Sequence, residues 1–351
     1  MSRSMKFSLA HPSGEAQRQG AGLLALSALL VLTMLFSLAL GRYYVPLETL
    51  LQVLAGAAGI GGPQPSGTAE TIVLMVRLPR IVGAVLIGAG LSLSGLAYQT
   101  VFRNPIASPA LLGVSAGAGF GASVALLLRA PVLCVQGAGF VGGLAAVAIA
   151  LGADRAINTR SIITLTLCGM VVSALFQALI SIVKYVADPV EALPTITFWL
   201  MGSLARMSAS DAIVLACPVI LGGLALYLNR WRIGLLALGD HEAATMGVDV
   251  RRLRILVICC ATLMSAATVC VAGVIGWVGL LIPHLARASF GMEPGRLTAA
   301  TALFGGIFLL LVDDLARSIS AIEIPLGVLT ALIGAPFFLM FLLRARQSRW
   351  A

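Results

Sequence analysis

Residues 77–119, RLPRIVGAVLIGAGLSLSGLAYQTVFRNPIASPALLGVSAGAG, decide how the chain is read. Between Arg80 and Arg103 no charged side chain occurs, and residues 81–98 form an apolar run of the length that crosses a bilayer as a helix, about 20 residues. Arg77 and Arg80 close the run at one end and Arg103 at the other. Asn104-Pro105 and Ser108-Pro109 then break the pattern, and a second apolar run starts at residue 109. In lipid the backbone must satisfy its own hydrogen bonds, so such runs are helices.

The same pattern continues outward in both directions. Runs suited to spanning lie at 21–40, 81–98, 109–128, 131–153, 161–186, 210–229, 254–272, 274–290, 298–316 and 325–343. The chain of 351 residues is 59% hydrophobic and 11% charged, with mean hydropathy +1.02. A water-soluble domain carries about 25% charged residues, so that class is excluded. The expected fold is an all-α polytopic membrane protein of about ten transmembrane helices. Residues 1–20 form an N-terminal tail, 21–343 a single membrane domain and 344–351 a C-terminal tail. The first run, at 20 residues, exceeds the apolar core of about 7–15 of a signal peptide and is read as a retained span.

Basic residues orient the spans. With ten crossings and a cytoplasmic N-terminus, 16 of the 23 Lys and Arg residues fall on the cytoplasmic side, as the positive-inside rule requires. An eleventh apolar stretch, TITFWLMGSLA at 195–205, is too short to cross. If it did cross, the basic residues from Arg230 onward, Arg317 aside, would move outside. The net charge of +9 therefore reflects topology rather than a nucleic-acid face. The weakest span is 274–290, where His284 and Arg287 shorten the apolar part and Pro283 is expected to interrupt the helix.

No motif carries catalysis. Neither lysine, Lys6 or Lys184, sits in a phosphate-binding GxxxxGK[ST] loop, so any ATP-driven work needs an ATPase on another chain. His241-Glu242 begins like HExxH but has Thr245 in place of the second histidine. The six cysteines form no CxxC pair and most lie in apolar runs, where they pack as small hydrophobes. Gly113, Gly117 and Gly121 repeat along one helix face, a spacing that lets backbones approach closely.

Three polar features stand out. Met170, Ser173, Gln177, Ser181 and Lys184 share one face of the fifth span and serve either a wet pathway or helix-to-helix bonding. LGDHEAATMGV, 238–248, lies in the longest cytoplasmic connection and is either a docking helix or an ordinary solvated loop. Arg77, Arg80 and Arg317 fall on the extracytoplasmic side against the basic bias, where an arginine fork suits a partner's carboxylate and also suits lipid headgroups.

Together, the stretch at 77–119, ITFWLMGSLA, LGDHEAATMGV, GVIGWVGLLIPHLAR, LLVDDLAR and EIPLGVLTALIGAPFFLMFLL resemble the FecCD family of permeases, over about residues 72 to 343 and in the family's order. The resemblance implies a type II ABC importer permease fold in the bacterial inner membrane, with both termini cytoplasmic. It also implies a second permease copy, as a homodimer or related heterodimer, two cytoplasmic ATP-binding subunits that use ATP and Mg, and an extracytoplasmic substrate-binding protein. The chain itself is then no enzyme and binds no cofactor or metal. The expected cargo is an iron-siderophore or similar metal chelate, with cobalamin, haem or molybdate as alternatives on the same machinery and ion-coupled secondary transport as a more distant one. By the same resemblance, Arg77, Arg80 and Arg317 dock the binding protein, Gly239, Glu242, Ala243 and Gly247 couple to the ATPase, Asn104 and Ile106 form a cytoplasmic gate, and Ser173, Gln177 and Ser181 line the path. SIIT at 161–164 matches the second gate element poorly and receives no gate residues; Arg206 stands where small residues are common.

Overall fold

A computed structural model describes residues 12–41, 43, 45–57, 59, 67–157, 162–320 and 322–347. Residues 1–11 and 348–351 of the expected tails, with Ser161, lie outside the described residues. The helices run in the order α1 (Pro12–Ala39), α2 (Leu47–Ala57), α3 (Thr68–Thr71), α4 (Leu78–Val101), α5 (Val114–Leu127), α6 (Val132–Ile157), α7 (Ile162–Val186), α8 (Ala192–Met201), α9 (Ala209–Leu228), α10 (Arg230–Leu238), α11 (Asp240–Thr245), α12 (Val250–Ala272), α13 (Val278–Phe290), α14 (Pro294–Ser318) and α15 (Leu326–Gln347). A π-helical turn, Ile72–Arg77, joins α3 to α4 into one continuous rod.

Each of the ten expected spans contains a helix. Seven helical stretches, Gly20–Ala39, Thr68–Val101, Val132–Ile157, Ile162–Val186, Ala209–Leu228, Val250–Ala272 and Pro294–Ser318, are long and apolar enough to cross a membrane unaided. The span marked as weakest departs most: α13 starts only at Val278 and has 13 residues, about 20 Å at the α-helical rise. Residues 273–277 ahead of it are irregular. Irregular backbone at membrane depth is tolerated only where protein buries it, and here Gly273 packs closely on Trp199 O and Gly202 while Gly327 packs on Val274 O, with Ser203 N donating to Ala272 O (2.8 Å) at the end of α12 and Leu326 N to Gly202 O (2.9 Å) beside it. Pro283 does not interrupt α13. The stretch at 195–205 contributes α8, of ten residues, in keeping with a segment that does not cross.

Helix starts follow from local chemistry. Ser208 and Asp211 form a reciprocal capping box at α9, Asp249 accepts from Arg252 N at α12, and Glu293 accepts from Gly295 N and Arg296 N ahead of Pro294 at α14. These side chains satisfy amides that lipid could not.

α4 is the central post, packed on α14, α12, α13 and α9. Lipid offers no hydrophobic drive between helices, so close backbone contact must supply the attraction. A Cβ on Gly95 would overlap the Gly279 carbonyl of α13, and one on Gly117 or Gly121 would overlap the Gly142 or Ala138 carbonyl of α6. The first glycine of that repeat, Gly113, instead takes a left-handed φ of 80° ahead of α5. Ser94 Oγ to Ala261 O (3.0 Å) and Tyr98 OH with Thr262 Oγ1 (2.8 Å) join α4 to α12. Gly95→Leu is expected to abolish the monodisperse folded peak in detergent size exclusion, whereas Gly137→Leu, with open space around it, keeps it.

Candidate functional site

The polar chemistry gathers in three places. At the end of the molecule that carries most arginines, α10 and α11 form a compact corner under α4 and α12. Gly239 links them at φ 148°, ψ 158°, and a side chain there would collide with the Glu242 carboxylate. Ala243 is fully buried, while Glu242 and Met246 are exposed. Gly247, at φ 79°, turns the chain out of α11. The four residues expected to couple therefore shape and terminate one short helix with an outward polar face.

Asp240 holds that helix in place. Its carboxylate pairs with Arg103, two residues past the end of α4, and accepts two hydrogen bonds from Arg254 Nη2 of α12, each 2.8 Å. Arg103 immediately precedes Asn104, whose Oδ1 accepts from Ile106 N (3.0 Å) in an Asx-type turn that leaves Ile106 56% exposed. A carboxylate at the start of α11 thus connects it to the Asn104–Ile106 turn. Sequence reading missed Asp240; its one signal was an acid, with Glu242 and Asp249, shortly ahead of the basic cluster Arg251, Arg252 and Arg254.

The second place is α7. Ser173 is half-buried and Gln177 and Ser181 are exposed, with Ser181 Oγ bonding back to Gln177 O at 3.0 Å. On the same helix Val171, Leu175, Ile182 and Tyr185 are also largely exposed. This is a helix with an uncovered, mixed polar and apolar surface.

The third place, at the opposite end, corrects an expectation. Arg77, Arg80 and Arg317 are 4%, 8% and 8% exposed, not free outward forks. Arg80 donates to Asp313 from Nε (2.8 Å) and Nη2 (2.9 Å), and to Glu323 from Nη1 and Nη2 (both 2.9 Å). Arg77 Nη1 donates to Leu38 O (2.6 Å), and Arg317 donates to Ser37 O (2.7 Å) and Leu40 O (3.0 Å). Two guanidiniums therefore cap the carbonyl end of α1, where a cation is favoured. Asp314 takes Arg317 and the Ser37 hydroxyl, so Arg80 and Arg317 pair with three carboxylates while Arg77 sits on backbone carbonyls, and the formal charges of the cluster balance. The physical reason was already in LLVDD: two adjacent carboxylates inside an apolar run must be paired, and the cations near that end are these arginines. Arg206 is exposed.

No group of three or more His, Cys, Asp or Glu side chains able to hold a metal occurs among the described residues.

The profile of the FecCD transport family matches residues 29–344. The molybdate import system permease protein MolB of Haemophilus influenzae is 40% identical over 316 residues, covering 90% of this chain and 93% of that protein. The Fe(3+)-citrate import system permease protein YfmE of Bacillus subtilis is 34% identical, covering 91% and 94%. A solved structure described as an inward-facing conformation of an ABC transporter of metal-chelate type superposes with a TM-score of 0.83 at 37% identity, over 93% of this chain and 99% of that one.

Proposed function

Since the chain belongs to the FecCD transport family and is a multi-pass permease subunit of the ABC importer kind, we propose that it imports a ferric siderophore or similar metal chelate across the bacterial inner membrane. The observation that carries this reading is α7, whose Ser173, Gln177 and Ser181 stripe stands uncovered on the single chain. Polar groups on a membrane helix are costly against lipid and belong on a wet path or an interface. A second permease copy, identical or related, encloses them in the path. Two separate ATP-binding subunits seat on the corner formed by Gly239, Glu242, Ala243 and Gly247, at the cytoplasmic end. Their closure moves α11 and, through Asp240 and Arg103, the gate at Asn104 and Ile106.

At the extracytoplasmic end, Arg77, Arg80 and Arg317 serve the binding protein by fixing the loops it sits on, since their guanidiniums are engaged inside the chain. Ion-coupled transport is disfavoured by the same cluster: Asp313 is fully buried and bidentate with Arg80, a fixed pair rather than an exchangeable carboxylate. Cobalamin, haem and molybdate remain the alternative cargoes, and the relatives' names span molybdate and Fe(3+)-citrate.

The test is uptake into proteoliposomes that hold the chain, its ATPase and its binding protein, with a panel of ferric siderophores, haem, cobalamin and molybdate. Uptake of one ferric siderophore only with ATP is expected; uptake that persists without ATP overturns the importer reading. Gln177→Trp is expected to block uptake without shifting the melting temperature, because the side chain is exposed on one copy. A matching loss of stability would place Gln177 in packing instead.

A further inference from the structure

A cavity of about 740 Å³ opens at the basic end, between α9–α10 on one side and α13–α14 on the other, with α4 as its floor. Its size is that of sites for small organic ligands, about 300–1,000 Å³. Leu93, Leu226 and Leu297 line its apolar walls. Leu93 lies about 12 Å deeper along α4 than Val101, at the helical rise of about 1.5 Å per residue. A soluble subunit resting on the end of the molecule does not reach that depth, whereas a hydrocarbon chain does.

The mouth is cationic. Arg230 donates from Nη1 to Tyr227 O (2.9 Å) and stacks on the Tyr227 ring at 4.3 Å, and Arg287 is held by the Gln99 side-chain oxygen. Among the described residues neither guanidinium forms an ion pair with a carboxylate, unlike Arg103 at the same rim, which pairs with Asp240. Trp231 beside them is 60% exposed, the position of an interfacial belt residue. Two guanidiniums without a direct ion pair, Arg230 with the Glu293 carboxylate nearby, stand above an apolar slot and match a phosphate above an acyl chain, the arrangement of basic lipid pockets between transmembrane helices.

We infer that this groove binds one anionic phospholipid of the cytoplasmic leaflet, its phosphate at Arg230 and Arg287 and an acyl chain along Leu93, Leu226 and Leu297. The inference rests on the membrane placement proposed above and not on the cargo. Bound there, the lipid sits against α10, the helix that leads into the coupling corner, so it stiffens that corner.

The full chain would be reconstituted in bilayers of equal phosphatidylglycerol and phosphatidylcholine, extracted gently, and weighed by native mass spectrometry. One phosphatidylglycerol per chain is expected to persist in preference to phosphatidylcholine. Arg230→Gln with Arg287→Gln is expected to lower the retained fraction by about an order of magnitude, since each surface-proximal arginine contributes substantially to anionic-lipid attraction. Ala237→Trp, at an exposed rim position, fills the groove without touching either charge and decides the matter if the double variant does not fold. Equal retention of both lipids, retention unchanged by Ala237→Trp, displacement by millimolar inorganic phosphate, or displacement by added ATPase subunit each overturns the lipid assignment. The last two would identify a bare anion site and a protein contact respectively. Because the readout is lipid mass, failure here is distinguishable from failure of the transport reading.

Discussion

Asp313→Ala is expected to destabilise the folded chain by about 3–5 kcal/mol, the cost of leaving one member of a buried ion pair uncompensated. Arg80 makes two of its four hydrogen bonds to Asp313, whose side chain is 0% exposed, while Glu323 on the other side is 27% exposed. Water can compensate Glu323 but not Asp313. Glu323→Gln should therefore cost far less, about 1 kcal/mol, in line with partly exposed pairs. The charge-free double replacement Arg80→Met with Asp313→Leu should recover most of the loss, because exchanging a whole buried pair for apolar groups is often nearly neutral. Thermal melts in detergent of the three variants check the ordering. A single Asp313→Ala variant as stable as the parent would mean that the pair is solvated or not formed.

Asp240→Ala is expected to lower ATP-dependent uptake by about tenfold while leaving the fold in place. The stability side follows from exposure: Asp240 is 46% exposed, and its partners Arg103 and Arg254 are 36% and 20% exposed. Such pairs contribute about 0.2–1 kcal/mol each, too little to unfold the chain. The effect on transport is larger because Asp240 is the described side chain that joins α11 both to the turn at Asn104 and to α12. Couplings between sites are typically about 1–3 kcal/mol, so losing this link is worth about an order of magnitude in rate. The discriminating measurement pairs uptake with ATP hydrolysis in the same proteoliposomes. Hydrolysis that continues while uptake falls supports the link; uptake within twofold of the parent sinks it.

These two clusters differ in how legible they were. Arg77, Arg80 and Arg317 stood out in sequence because they break the charge bias, yet their reading as free docking forks was incomplete. Their partners lie far along the chain: Arg80 reaches Asp313 and Glu323, and Arg77 reaches the carbonyls that end α1. Asp240 did not stand out, because three acids, Asp240, Glu242 and Asp249, share a polar loop with no periodicity to single one out. The α7 stripe was legible as a face, since helical spacing of three and four residues is visible in any apolar run.

Hydropathy and charge alone determined the all-helical membrane architecture, the ten apolar segments, the shortness of the apolar stretch at 195–205 and the end at which most arginines gather. They could do so because bilayer thickness and the cost of unpaired backbone in lipid act on local segments. Only the tertiary structure decided which carboxylate neutralises which arginine, that α13 is half a span continued by irregular backbone, that Gly95 meets Gly279, and that a cationic groove opens beside α4. Each of these depends on atoms brought together from distant parts of the chain, where close packing and low dielectric, rather than local periodicity, set the energy.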